Sequence, residues 1–547
     1  MKLALVSPPC IRPTSPPLGP AVLASYLRKH LPSIQVRTFD LNLLCHQRML
    51  QGMMEGVMRF RLYDWDEATT ARRVDEARSF IKSDWGHEPD LGRYHREATI
   101  LLSFENILGV FMSEMASRAL FGIPIPGRIE AFFKDLIRPV VEYGPDMVGI
   151  SVLFHRQMVF AAHIAGMIRH ETCARIVLGG ARIGVMSRPG RILVEPWERG
   201  YEGRSFRMEP GRFFDYLIPG EGERSLLQLC KAGGEQDLAK VPNLVHLRDG
   251  NLEENPPEVI GDLSEIPEPD FSDLDTGEYL VPEAVLPVLF SRGCPWGKCS
   301  FCTHHRSYLR YRTLPIDECL RQLKVLRERH GTRLFSIYDE MIPPERFRRL
   351  AQAIIDEGLE IRYSAYAKPT RQFDARLLGL IRQSGCRMLM WGVESASQRV
   401  IDLMGKGTRV DDMEKVLETA GSAGIMNLLF VMFGFPTETR EEFFETIAFL
   451  DRNRKYIHAL SKGIFILTEG SMVERMPERF SITRIGVASA PPDTSLKYEV
   501  SRGLSPDEAE ALYRDNRKFF DGLGLSSRFG AYREHLLFLS ATGWNRK

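Results

Sequence analysis

The stretch Val285-Leu286-Pro287-Val288-Leu289-Phe290-Ser291-Arg292-Gly293-Cys294-Pro295-Trp296-Gly297-Lys298-Cys299-Ser300-Phe301-Cys302 puts three of the nine cysteines within nine residues, directly after an apolar run of strand length. A closed zinc site or an electron-transfer cluster takes four protein ligands. Three thiolates instead leave one iron of a four-iron, four-sulfur cubane open to another ligand, which suits catalysis. Pro295 and Gly297 allow a turn that gathers the three thiols. On the residues alone two other readings stay open: the cysteines could be small buried hydrophobes, or part of a zinc knuckle completed by His304 or His305.

Working outward, a chain of 547 residues exceeds a single core, and two or three domains are expected. Lys and Arg total 72 against 71 Asp and Glu, so no broad field favours nucleic acid or an anionic membrane. Cys10, Cys45, Cys173, Cys230, Cys319 and Cys386 stand singly, as expected of reduced thiols in a cytoplasmic protein. The opening Met-Lys-Leu-Ala-Leu-Val-Ser-Pro-Pro reads as a first strand rather than a secretory signal. The most apolar segment, Leu101 to Met112, is interrupted by Glu105 and Asn106, so no membrane-spanning helix is expected.

The N-terminal part alternates short strands with helical periodicity: Leu3 to Val6, a helix over 19–29, Ile34 to Leu41, Met147 to Val152, Ile176 to Leu178 and Tyr216 to Pro219. This rhythm predicts an α/β, doubly wound, Rossmann-like domain over residues 1–245, with a helical insertion at about 43–139. Pro-rich acidic sequence predicts a linker over 246–282. Beyond it, strands are predicted at Leu286 to Phe290, Leu334 to Tyr338, Ile361 to Ala365, Met388 to Trp391, Leu428 to Phe433 and Gly463 to Leu467, with helices between. Six such units predict a partial (β/α)6 barrel over 283–473, followed by a C-terminal extension over 474–547 with a helix from Ser505 to Gly522.

The cysteine run resembles that of the radical S-adenosylmethionine enzymes, whose loop follows the first barrel strand. The commonest family spacing is C-x3-C-x2-C, whereas this chain reads C-x4-C-x2-C, a departure found in branches that also carry a cobalamin-binding domain. The resemblance implies a 4Fe-4S cluster on Cys294, Cys299 and Cys302, with S-adenosylmethionine on the open iron. It also implies S-adenosylmethionine contacts at the ends of later strands: Asp339 and Glu340, then Glu394 and Ser395, then Gly434, whose missing side chain would let the adenine approach. Read without the family, Asp339 or Glu340 could cap the helix after Pro343-Pro344, Glu394 could neighbour a cap, and Gly434 could belong to an ordinary turn.

The first domain resembles the cobalamin-binding domain that precedes many such barrels. The segments that carry the resemblance are Ser7-Pro8-Pro9, Leu18-Gly19, Ser151, Gly179-Gly180 and Gly220-Glu221-Gly222, and they are the implied cobalamin contacts. His155 is the nearest candidate for a corrinoid contact, although it also reads as an ordinary loop histidine. Together these resemblances imply a methyltransferase acting on an unactivated carbon of a peptide or other natural-product precursor, served by a reducing partner such as flavodoxin or ferredoxin. Radical rearrangement, cyclisation or epimerisation is an alternative within the same class, and a corrinoid or redox sensor is one outside it.

Overall fold

Short apolar strands alternate with amphipathic helices along most of the chain, and in a computed structural model they assemble around two main sheets, the first mixed and the second parallel; residues 1–85, 90–304, 308–486, 495–523 and 532–541 are described. The first sheet comprises β1 (Lys2–Ser7), β2 (Gln35–Asp40), β3 (Met147–Ser151), β4 (Arg175–Gly179), β5 (Tyr216–Leu217), β6 (Val245–Arg248) and β7 (Asn251–Glu254). Their order is β2-β1-β3-β4-β5-β6-β7, parallel up to β5 and antiparallel thereafter. The order reverses between β1 and β3, and a crevice opens at such a point beyond the carboxyl ends of the strands.

The β6–β7 hairpin occupies the start of the stretch expected as linker, so the first sheet runs to Glu254. The outer strand β7, Asn-Leu-Glu-Glu, is polar, acidic and at the sheet edge, where its composition resembles that of a loop. The remainder of the stretch is packed: Arg28 pairs with Asp270 at 2.5 Å and Asp273 at 2.7 Å, while Phe271, Tyr279 and Leu280 are buried.

The insertion consists of helices Leu41–Met54, Glu67–Lys82, Leu91–Leu120 and Gly127–Tyr143, slightly wider than 43–139. Asp40, Asp66 and Asp90 cap the first three by accepting hydrogen bonds from first-turn N–H groups. In the fourth, Ile129, Phe132, Phe133, Leu136, Ile137 and Val140 recur at helical spacing and are buried. Among the described helices Leu91–Leu120 alone is long and apolar enough, by length and composition, to cross a membrane, and it runs unbroken through Glu105 and Asn106. Its buried face packs within the insertion, with Glu105 accepting a hydrogen bond from the Tyr532 hydroxyl at 3.0 Å.

The second sheet is β8 (Val285–Val288), β9 (Leu334–Ile337), β10 (Arg362–Ala367), β11 (Cys386–Glu394), β12 (Met426–Phe433) and β13 (Ala459–Ile464), all parallel and in sequential order. This is the predicted six-strand partial barrel. The last strand begins four residues ahead of the predicted one, because Ser461 to Ile464 are only half-buried on this edge strand and leave no clean apolar run. Phe335, Leu389, Trp391 and Leu429 face the surrounding helices. The alternate residues Leu334, Met388, Met390 and Leu428 share a core with the insertion and with a C-terminal helix, Arg533–Ala541, which lies across the inner face of β9, β10 and β11. The tail helix predicted over 505–522 is broken at Asn516 into Pro506–Asp515 and Arg517–Asp521, behind the expected Ser505–Glu508 capping box.

Candidate functional site

The three cysteines follow β8, at the carboxyl end of the first barrel strand, where barrel active sites form. All three are half-buried free thiols. The loop is braced from several sides. Gly293 has φ +81°, and a Cβ there would lie 2.7 Å from the Arg310 carbonyl oxygen, so only glycine fits. The Ser300 N–H donates to the Met404 carbonyl at 2.8 Å, and the Trp296 ring N–H donates to the Gly405 carbonyl at 2.8 Å. Burial raises the Cys299 thiol and pushes Cys302 up to about 12, so each thiolate needs a counter-charge of the kind bound iron supplies. Among the described residues no three His, Cys, Asp or Glu side chains converge on a single ion. A cubane does not require that, since each thiolate bonds a different iron. Three thiols on one tethered loop fit such a cluster. Of the two histidines considered for a zinc knuckle, His304 stands with Nδ1 2.7 Å from Glu340 Oε1, and His305 lies outside the described residues.

The strand-end residues expected to meet S-adenosylmethionine divide in two. Asp339 is fully buried and faces the base of the cysteine loop, accepting hydrogen bonds from the Phe290 N–H and the Ser291 hydroxyl, both at 2.6 Å. Burial raises its pKa to about 6, against the pull of those donors. It therefore braces the loop and neither caps a helix nor opens towards a ligand. Ser395 is likewise sealed in a turn with Thr446 and Ser397. Gly434, at φ +72°, lies against the tail helix: a Cβ would come within 2.6 Å of the Ala509 Cβ, so its bareness serves packing rather than an open approach. Glu340 is half-buried and exposes its carboxylate beside His304. Glu394 ends β11 at φ +66° and accepts from Lys406 Nζ at 2.6 Å. Burial works against the Lys406 charge, but Glu394 and nearby Cys299 hold its pKa above the ordinary lysine value. Lys368 donates to the Lys406 carbonyl at 3.1 Å and stands 3.3 Å from the Trp296 ring centroid. The sequence reading missed both lysines. The signal for Lys406 was its position between Gly405 and Gly407.

Across from the loop, a cavity of about 230 Å³ opens at the carboxyl ends of the first sheet. It is lined by Leu18 and Gly19 at the start of the first helix, by Ser151 at the end of β3, and by Gly179 and Gly180 at the end of β4. Gly220, Glu221 and Gly222 close it beyond β5, and Leu289, Arg292 and Tyr308 contribute from the barrel side. Gly180 adopts φ +100°, with the position of a Cβ occupied by Val152 backbone at 2.5 Å. Not all expected corrinoid contacts reach the cavity. Ser7, Pro8 and Pro9 are buried below it, with the Pro8 carbonyl accepting from Gln157 Nε2 at 2.6 Å, and His155 is exposed beside it.

Glu221 lines the cavity, but its carboxylate is engaged elsewhere. It accepts from Arg312 Nη1 at 3.1 Å and the Ile260 N–H at 3.0 Å, and lies 3.1 Å from Arg292 Nη1. Glu223 accepts from both terminal nitrogens of Arg292. All four side chains are buried, so the end of the first sheet is clamped to the residues immediately before Cys294.

Residues 288–450 match the model of the Radical SAM superfamily. In this segment, which holds the three cysteines, the chain is similar to the radical S-adenosylmethionine superfamily. An uncharacterized methyltransferase of Pyrococcus horikoshii is 27% identical over 58% of this chain and 66% of its own length, so the shared region spans just under two thirds of that relative. Among solved structures, the cobalamin-dependent S-adenosylmethionine radical enzyme OxsB, with aqua-cobalamin and S-adenosylmethionine bound, superposes at a TM-score of 0.63 and 15% identity, covering 98% of this chain and 71% of that one. The radical S-adenosylmethionine methyltransferase TsrM from Kitasatospora setae, with cobalamin and a [4Fe-4S] cluster bound, gives 0.57 at 18% identity, covering 93% and 84%. At these identities the likeness is one of fold. It extends beyond the radical S-adenosylmethionine barrel to the doubly wound domain ahead of it.

Proposed function

We propose that the protein is a cobalamin-dependent radical S-adenosylmethionine methyltransferase acting on an unactivated carbon of a peptide or other natural-product precursor. The observation that carries this reading is the shared cavity, in which strand ends of the first sheet meet Leu289, Arg292 and Tyr308, from the segments flanking the three cysteines. A cluster with S-adenosylmethionine supplies hydrogen abstraction, and a methylated corrinoid supplies a transferable methyl group. Cys294, Cys299 and Cys302 would hold the cluster. Glu340 and the Lys406–Glu394 pair present charge of both signs at the strand ends, suited to a zwitterionic methionine group. Gly19, Gly179 and Gly222 keep the cavity floor bare enough for a broad, flat ligand to lie against the backbone. The insertion and the C-terminal helix pack against the inner barrel face. Electrons would come from a small reductase such as flavodoxin or ferredoxin.

The test is anaerobic reconstitution with iron, sulfide and hydroxocobalamin, then reduction with S-adenosylmethionine and mass spectrometry of the nucleosides. 5′-Deoxyadenosine together with S-adenosylhomocysteine is expected. Deoxyadenosine alone would favour rearrangement, cyclisation or epimerisation, and neither product from a loaded protein would favour a sensor.

A further inference from the structure

The C-terminal helix brings two charged side chains into the barrel, and among the described residues neither has an ion-pair partner. Arg533, half-buried, donates to the Tyr366 hydroxyl from one terminal nitrogen, and its guanidinium lies 5.7 Å from the Tyr366 ring centroid and 5.3 Å from that of Phe430. These two rings are stacked 5.9 Å apart on β10 and β12, so the cation faces an aromatic wall inside the barrel. Among the described residues no carboxylate lies within 4.0 Å of it. The adjacent Glu534 turns away, accepting from the Tyr338 hydroxyl at 3.0 Å and the Thr14 hydroxyl at 2.8 Å. A guanidinium has five donors in a planar fork, and among the described residues one is used. Aromatic contact partly shields such a cation. The donors left over can take an oxyanion in a planar fork, as guanidinium does for carboxylate and phosphoryl groups.

We propose that Arg533 is a substrate-recognition residue and that the molecule entering the barrel presents an oxyanion to it, a carboxylate or a phosphoryl group. This rests on the proposed function, with the substrate meeting the barrel beside the C-terminal helix. Tyr366 and Phe430 would flank the bound group, and Glu534, held by Tyr338 and Thr14, would fix the start of the helix so that Arg533 keeps its aim.

The test uses the full chain and needs no turnover, so it can fail while methyl transfer stands, and succeed while methyl transfer fails. Thermal unfolding of wild type and Arg533→Gln is followed in sodium acetate and in methylphosphonate, each against sodium chloride at equal ionic strength. The wild type is expected to gain roughly 1–3 °C from one of the two anions, a gain absent in the variant. A response to acetate assigns a carboxylate, and one to methylphosphonate a phosphoryl group. Equal shifts in both proteins overturn the proposal. So does abolition of the response by S-adenosylmethionine, since Arg533 would then serve the cofactor. Should Arg533→Gln not fold, phenylglyoxal labelling of the wild type decides. Selective protection of Arg533 by either anion, relative to exposed Arg502, supports the proposal, and unchanged labelling refutes it.

Discussion

Arg292 stands two residues ahead of Cys294 and donates from both terminal nitrogens to Glu223, across the boundary between the two sheets. The pair is buried, with Glu221 and Arg312 beside it. Burial alone would raise the Glu223 carboxyl, but the two guanidinium groups hold it below the usual carboxylate range. Removing one partner leaves an uncompensated charge. Arg292→Met is therefore expected to cost roughly 3–5 kcal/mol in chemical denaturation. The double replacement Arg292→Met with Glu223→Met should cost less than the sum of the single ones. Strict additivity would deny the coupling.

The cluster assignment separates the cysteines. Alanine at Cys294, Cys299 or Cys302 should abolish loading of iron and sulfide after anaerobic reconstitution. Cys319 is fully buried behind the loop, with Arg346 Nη2 3.6 Å from its sulfur, and Cys319→Ala should retain a normal iron content. Iron loss equal to that of the loop variants would refute the three-ligand assignment.

The two cofactor sites should also separate. At Gly19 a Cβ would meet only the Ser151 hydroxyl oxygen, at 3.4 Å, so the fold tolerates a side chain there while the cavity does not. Gly19→Leu is expected to lose at least tenfold in corrinoid affinity, measured by retention of hydroxocobalamin, and to keep its iron. Unaltered corrinoid retention would move the corrinoid out of this cavity.

Glu438 gives a pH dependence with a definite sign. It is buried and accepts from the Gly434 N–H at 2.5 Å, and burial raises its pKa from 4.5 to about 8. The folded protein thus keeps this proton after the unfolded chain has released its own. The contribution to stability is complete below about pH 4.5 and is lost as pH rises through about 8. Glu438→Gln removes the titration, so the melting temperature of the variant should fall less between pH 5 and 8 than that of the wild type. Parallel profiles would contradict the burial argument.

The barrel was legible because its interior strands, such as Met388 to Trp391 and Leu428 to Phe433, are buried on both faces and read as continuous apolar runs. The edge strand β13 and the β6–β7 hairpin were not, since half-exposed strands share their composition with loops. The turn that gathers the cysteines was legible in Pro295 and Gly297, while its reading as a cluster loop came from the family resemblance. Asp339, Ser395 and Gly434 were placed at the correct strand ends, but a polar or bare residue there can serve the backbone as readily as a ligand, and sequence does not distinguish the two. The helix Arg533–Ala541 was passed over, although Leu536-Leu537-Phe538-Leu539 marks a segment that needs burial. Its destination depends on contacts hundreds of residues away, to Thr14, Tyr94 and Tyr366.

The central claim is that one cavity joins a corrinoid site on the first sheet to the segments flanking the three cysteines. Electron paramagnetic resonance of the protein carrying both cob(II)alamin and the reduced cluster tests it directly. The account predicts that each signal is broadened by dipolar coupling to the other, relative to samples loaded with either cofactor alone. Spectra that are simple sums of the singly loaded ones would contradict it.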